Sequence, residues 1–308
     1  MKKPYIICLA TLAIAGSLIF TACQKSLSST DNSTPTTQDA LVLQSSAAAD
    51  DVTDNAFNDV FNNVMGVNAD AGLGSGIGVF LVAPRKTGTG TTENQFTAGT
   101  DSVSHCYTVT IDPAEPGVFP KTITIDFGTG CTGRDGHTRS GKITAIYTGR
   151  MKVAGSTATA SFDGFYIDSV HVEGTLTIQN KSTSDSRIFT LGVTNGKLSL
   201  PTGDYIEINR NHTWTQTGGS STPDNPADDV YSITGSSSGT AQISIITAQW
   251  TTEITEPVIR KLSCPWRVQG QVTVTYNDKT GVLDYGNGDC DNKATMTVGA
   301  KVYDITLH

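Results

Sequence analysis

The sequence is poor in charge and lacks the common catalytic motifs. Only 16% of its 308 residues are charged, the net charge is −8, and no block of basic residues occurs. Because nucleic-acid binding depends on neutralising phosphates, we do not expect a nucleic acid as partner. Ser75 lies among glycines, but Leu73 and Ile77 occupy the places where a nucleophile elbow needs glycine. We therefore expect no enzymatic activity from a recognisable motif.

Metal-binding patterns are also scarce. The five histidines are scattered, with no pair at the spacing of zinc ligands. One acidic turn offers oxygen ligands that suit calcium, although Asp and Asn also favour turns for local backbone reasons. We predict no metal and no cofactor, and keep that turn as a weak calcium candidate: Asp284, Asn287, Asp289 and Asp291.

The N-terminus carries the signature of export. Lys2 and Lys3 precede an apolar run, Tyr5–Phe20, and then Thr21-Ala22-Cys23, which together predict a secretory signal over residues 1–22. A transmembrane anchor is the alternative, but the run is barely long enough to span a bilayer and no basic cluster follows it.

Cys23 after Thr-Ala resembles a bacterial lipobox, in which the cysteine becomes the acylated first residue of the mature protein. The following Gln24-Lys25 resembles the start of the surface-export signal of Bacteroidota lipoproteins. The resemblance implies an outer-membrane protein attached to the membrane by the lipid on Cys23. The sequence does not decide between the periplasmic face and the cell-surface face of that membrane, although it favours the cell surface.

Six cysteines are present, of which Cys8 leaves with the signal and Cys23 carries lipid. Four remain, and an even number in an oxidising compartment predicts disulfides. Each of two similar segments, Ile125–Cys131 and Leu283–Cys290, contains Asp-aromatic-Gly-x-Gly before a cysteine and follows another cysteine at nearly the same spacing. We therefore predict two equivalent hairpins, each closed at its open end by a disulfide: Cys106–Cys131 and Cys264–Cys290.

The repeated Asp-aromatic-Gly-x-Gly motif also predicts two equivalent turns. A carboxylate just before an aromatic-Gly turn can accept backbone N–H bonds from that turn. We assign this part to Asp126 and to Asp284. Glycines supply the positions where φ can be positive, and these are Gly128, Gly130, Gly286 and Gly288.

One helix is predicted ahead of a β domain. Apolar side chains repeat at helical spacing between Val52 and Met65, with Asp50 or Asp51 near the start and Gly66 as the stop. Such a helix packs against the β domain or binds a partner. The predicted segments are a Ser/Thr-rich flexible tether (23–45), an amphipathic helix (46–66), a Gly-rich connection (67–92) and the β domain (93–308).

The rest of the chain shows the alternation of apolar and polar residues that strands require. It is clear in Val272–Tyr276, and turn signals such as Asn195-Gly196 and Asn277–Gly281 separate the runs. We predict an all-β fold of antiparallel strands, with one short N-terminal helix. A sandwich and a long curved meander both fit this pattern.

Two longer stretches carry a family resemblance. Phe127–Gly141 (FGTGCTGRDGHTRSG) and Leu283–Thr295 (LDYGNGDCDNKAT) resemble segments of uncharacterised Bacteroidota lipoproteins. The likeness runs from about Cys106 to the C-terminus. It implies an envelope location but no activity.

The best polar cluster lies in the first of these stretches: Arg134, Asp135, His137 and Arg139. It suits an anionic or sugar ligand, and it also suits an ordinary solvated turn. Aromatic residues such as Trp214, Trp250, Trp266 and Tyr231 would form either a sugar-stacking platform or part of the core.

The sequence thus predicts a lipid-anchored envelope protein with a structural or binding role. Its expected partners are the membrane and either a glycan or another envelope protein. A glycan-binding module and a hydrolase with a site assembled from distant residues are the alternatives.

Overall fold

The computed structural model describes residues 35–70, 106–133, 135–222, 226–243 and 246–307. Within them a single α-helix, α1, spans Thr37–Asp70, and a short 3-10 helix spans Pro226–Asp228. The predicted signal, Cys23 and most of the Gly-rich connection lie outside the described residues. The strands are β1 Thr108–Asp112, β2 Lys121–Asp126, β3 Cys131–Thr132, β4 Thr138–Tyr147, β5 Thr157–Ile167, β6 Val170–Asn180, β7 Ile188–Ser199, β8 Tyr205–Gly218, β9 Val230–Ile243, β10 Ile246–Lys261, β11 Arg267–Tyr276, β12 Lys279–Asn287, β13 Lys293–Val298 and β14 Lys301–Thr306.

All described strands belong to one open antiparallel sheet, and nearly every strand pairs with the next one along the chain. The exception is β3, which pairs with β4 beside the end of β2. The all-β prediction is confirmed, and of its two alternatives the meander is the observed one. Apolar side chains alternate along the strands, as in β2, where alternate residues are buried, so one face of the sheet forms the core.

The sheet curves around α1. The helix stretch from Asp50 to Val64 is about 22 Å long, yet its residues touch strands from β4 to β11. Those strands would span about 34 Å in a flat sheet, so the sheet must bend round the helix. No residue from 46 to 66 is exposed. The helix is therefore part of the core, and the alternative of a free partner-binding helix is wrong for this stretch.

The helix is longer than predicted at both ends. It begins at Thr37 rather than at residue 46, because Thr36 and Asp39 form a capping box: the backbone N–H of Thr36 donates to the Asp39 carboxylate (2.8 Å), and that of Asp39 to the Thr36 hydroxyl (3.1 Å). Residues 37–45, predicted as tether, are thus helical. Gly66 does not end the helix, which runs to Asp70. Among the described residues, no helix has the length and apolar character needed to cross a membrane.

Both predicted disulfides are confirmed. Cys106 is bonded to Cys131, and Cys264 to Cys290, with sequence separations of 25 and 26. The first closes the open end of the β1–β2 hairpin and the second that of the β11–β12 hairpin. The short motif repeated in the sequence therefore corresponds to a structural repeat.

The turns after β2 and within the end of β12 also match. The Asp126 carboxylate accepts a hydrogen bond from the Gly128 N–H, and the Asp284 carboxylate accepts one from the Gly286 N–H, each at 2.8 Å. Both glycines have positive φ, as does Gly288. Gly130 does not, so the prediction fails there.

Candidate functional site

The main apolar cleft lies beside α1, between the β5–β6 turn and the connection from β10 to β11. Its volume is about 390 Å³, which is in the range of small-molecule sites. The helix supplies one wall and the curved sheet supplies the others. Its lining residues are Val52, Asn55, Ala56, Asn58, Asp59, Asn62, Asp135, His137, Ile167, Asp168, Val170, Val172, Leu198, Arg260, Pro265 and Trp266.

The polar loop predicted from the sequence stands at this cleft. Asp135 and His137 line it, and Arg139, which is fully buried behind them, bonds two carboxylates. Its Nη2 atom lies 2.6 Å from Asp135 Oδ2, and its Nε lies 2.9 Å from Asp59 Oδ2 on the helix. Arg134 lies outside the described residues. The tip of the loop, Asp135–Thr138, is exposed, while Arg139 joins its base to the helix.

The guanidinium of Arg139 lies between the carboxylates of Asp59 and Asp135, and the three groups affect one another's pKa values. Burial opposes the charge on Arg139, but the hydrogen bonds that it donates to Asp59 and Asp135 raise its pKa. Burial also raises the pKa of Asp59, and the neighbouring Asp135 charge adds to that rise. The pKa of Asp135 is lowered, because hydrogen bonds from Arg139 outweigh its partial burial. The pKa values of the two carboxylates thus move in opposite directions.

A histidine–aspartate pair forms the rim of the cleft. His137 Nδ1 lies 2.5 Å from Asp168 Oδ2, and the backbone N–H of Thr138 donates to Asp168 Oδ1 at 2.8 Å. Asp168 occupies the β5–β6 turn with φ of 47°, a conformation that Asp tolerates better than most residues. The described lining residues include no serine, threonine or cysteine that His137 could activate as a nucleophile.

Behind the cleft, a second group of charges joins α1 to the sheet. Asp54 lies 2.8 Å from Arg210 Nη1 and also contacts Arg267. Burial would raise the pKa of Asp54, but these two arginines hold it well below its usual range. Burial lowers the pKa of the adjacent His212 to about 4, and Arg210 adds to this effect. These ion pairs make the polar side of the helix part of the interior.

Three of the candidate aromatic residues do not form a stacking platform. Trp214, Trp250 and Tyr231 are buried in the core, where Trp214 packs against Tyr231 and Phe61. Of the three tryptophans, only Trp266 lines the apolar cleft. The core interpretation is therefore correct for the other two.

The acidic turn that was the calcium candidate has other bonding partners. Asp284 accepts hydrogen bonds from Gly286 N–H and from the Gln271 side chain at 2.9 Å, and Asp291 accepts one from Lys293 N–H at 3.1 Å. The part of the chain that the structure describes contains no group of three or more His, Cys, Asp or Glu residues placed to hold a metal ion. The local backbone explanation accounts for the bonds from Gly286 N–H and Lys293 N–H, but not for the bond from Gln271.

Several cleft residues were missed from the sequence, although a signal for some was present. Polar residues repeat along α1 at the same helical spacing as the apolar ones: Asp50, Asp51, Asp54, Asn55, Asn58, Asp59 and Asn62. Arg210 also follows Ile206 and Ile208 on the buried face of β8. A basic residue at a core-facing strand position, beside an acidic helix stripe, indicates buried ion pairs. No such local signal marks Asp168 or Arg260, whereas Trp266 was among the aromatic candidates of the sequence.

Comparison with known proteins adds no relative: no family model, curated protein or solved structure matches this chain. The geometry of the cleft is therefore the basis for any proposal about function. Its aliphatic walls can hold an apolar group, and its charged rim and floor can orient a polar one.

Proposed function

We propose that this protein is a lipid-anchored envelope protein that binds a small amphiphilic molecule in the cleft beside α1. The proposal rests on the lining, in which Val52, Ala56, Ile167, Val172 and Leu198 provide aliphatic surface, while polar or charged side chains make up half of the lining residues. A recess with apolar walls and polar groups that orient the ligand is the usual form of a small-molecule site. The volume of about 390 Å³ suits a ligand rather than a single water.

The alternatives from the sequence receive less support. A glycan module is favoured by several aromatic rings that can stack on sugars, and the described lining residues include only two aromatic side chains, Trp266 and His137. A hydrolase needs carboxylates free to act, whereas Asp59 and Asp135 are both bonded to Arg139. Binding without chemistry is the function that these contacts favour.

Binding in the cleft is testable with a neutral fluorescent probe, N-phenyl-1-naphthylamine, which brightens in apolar surroundings. We expect saturable binding to the wild type and at least tenfold weaker binding to Ala56→Phe, because the larger ring fills the cleft. Leu41→Phe is the matched control, since Leu41 is exposed on the same helix and does not line the cleft. Absence of saturable binding to the folded wild type would contradict the proposed function.

The envelope location is testable through Cys23. We expect Cys23→Ala to move the protein from the membrane fraction to the soluble fraction, because the lipid attached to Cys23 is its proposed anchor. Cys8→Ala is the matched control and should leave the protein in the membrane fraction. Continued membrane attachment of Cys23→Ala would show that the anchor lies elsewhere.

A further inference from the structure

Four arginines are buried on the inner face of the sheet within the described residues: Arg139, Arg210, Arg260 and Arg267. Three of them bind aspartates of α1. Arg139 pairs with Asp59, Arg210 with Asp54, and Arg267 with Asp54 and with Asp51 at 3.4 Å. Burying a charge is unfavourable unless it is paired and hydrogen-bonded. These three arginines are paired, although the buried Nε of Arg210 has no hydrogen-bond partner among the described residues.

Arg260 differs from the other three. It lies opposite Arg267 in the pairing of β10 with β11 and is only 8% exposed. Yet its guanidinium makes no ion pair or hydrogen bond with any described residue. Its charged carbon lies 6.0 Å from the centre of the Trp214 ring. Five N–H donors on one buried group are thus left for another acceptor.

The position of Arg260 shows where that acceptor would be. Arg260 lines the apolar cleft, together with Ala56, Leu198 and Trp266. Asp51 and Asp54 attract it electrostatically, but these carboxylates are in contact with Arg267, and Asp54 also with Arg210. An anion entering the cleft is the partner that the geometry provides.

We infer that Arg260 anchors the oxyanion of an amphiphilic ligand whose apolar part lies against the aliphatic wall of the cleft. This inference rests on the proposed function and specifies the ligand class. A guanidinium binds a carboxylate or a phosphate through two parallel hydrogen bonds. The ligand is therefore a small molecule with an apolar body and one carboxylate or phosphate group.

The test compares three ligands with the same ten-carbon chain: decanoate, decyl phosphate and 1-decanol. Calorimetric titration of the wild type should give at least tenfold tighter binding for one of the anions than for the neutral alcohol. The tighter anion identifies the headgroup as carboxylate or phosphate. Arg260→Met should reduce anion binding to the level of decanol and leave decanol binding unchanged. Lys142→Met, which removes an exposed positive charge on β4, should change none of the three affinities.

Each outcome decides a different point. Equal binding of all three ligands by the wild type would overturn the role of Arg260 and leave amphiphile binding intact. Absence of binding for all three would overturn the proposed function as well. An anion preference that persists in folded Arg260→Met would place the anchor elsewhere. If Arg260→Met does not fold, Arg260→Gln provides the second variant, and the wild-type comparison still tests the anion preference.

Discussion

The two cysteine hairpins and the interior around α1 are stabilised in different ways. In the hairpins, the disulfides join residues 25 and 26 positions apart, and the aspartate–glycine bonds join residues two apart. In the interior, Arg139 bonds Asp59 across 80 residues, and Arg210 bonds the Asp50 carbonyl across 160. Loss of one partner of a buried ion pair costs more than loss of an exposed turn bond. Single substitutions should therefore affect the interior far more than the turns.

The largest effect is expected at Arg267. Replacing Arg267 with Met leaves Asp51 and Asp54 with one cation fewer in the interior, which should lower the free energy of unfolding by about 3–5 kcal/mol. Urea denaturation measures this value. The matched control is Arg260→Met on the neighbouring strand, which breaks no ion pair and should change stability by less than about 1 kcal/mol. An equal loss of unfolding free energy in the two variants would show that Arg260 stabilises the protein as much as Arg267 does.

A smaller effect is expected from the pH dependence of His212. Its pKa is about 4 in the folded protein and about 6.5 when unfolded. Between these values the unfolded state binds the extra proton, so stability should fall as pH drops from about 6.5 to 4, by about 3 kcal/mol in total. His212→Gln should remove this component. Parallel pH profiles for wild type and variant, measured by urea denaturation, would show that His212 does not titrate in this way.

The smallest effect is expected in the hairpin turns. Asp284→Ala removes the hydrogen bond to Gly286 and should cost about 1 kcal/mol. Asp126→Ala should act in the same direction, because its bond to Gly128 has the same length. Asp278→Ala, at the exposed β11–β12 turn, is the control and should leave the melting temperature unchanged. If Asp284→Ala cost as much as Arg267→Met, the local turns would be as important as the interior.

This difference also explains what the sequence could predict. Strand alternation, turns and the repeated cysteine motif are local, so the all-β fold and both disulfides followed from them. Asn195-Gly196 was misleading, since it forms a bulge within β7 rather than a hairpin turn. Gly196 is needed there because a Cβ would approach Ile208 and Phe57 within 3.0 Å. That constraint comes from a neighbouring strand and from the helix.

The helix and the cleft also depend on contacts between residues that are distant in the sequence, which local patterns do not show. Asp50 and Asp51 looked like the start of a helix, because acidic residues favour the first turn, but they lie in its interior and face arginines from distant strands. The sequence left the loop at Asp135 and His137 open between a ligand site and an ordinary solvated turn, and both residues line the cleft. Arg260 was not predicted, because its importance depends on the absence of a partner in the folded structure.

Arg260 is proposed to bind the anionic group of a ligand, and a crystal structure of the protein grown with decanoate or decyl phosphate would show this contact. We expect the headgroup oxygens at hydrogen-bonding distance from the Arg260 guanidinium, with the carbon chain along Ala56 and Leu198. A structure in which Arg260 is bonded to a carboxylate of the protein itself, with no ligand in the cleft, would contradict the claim.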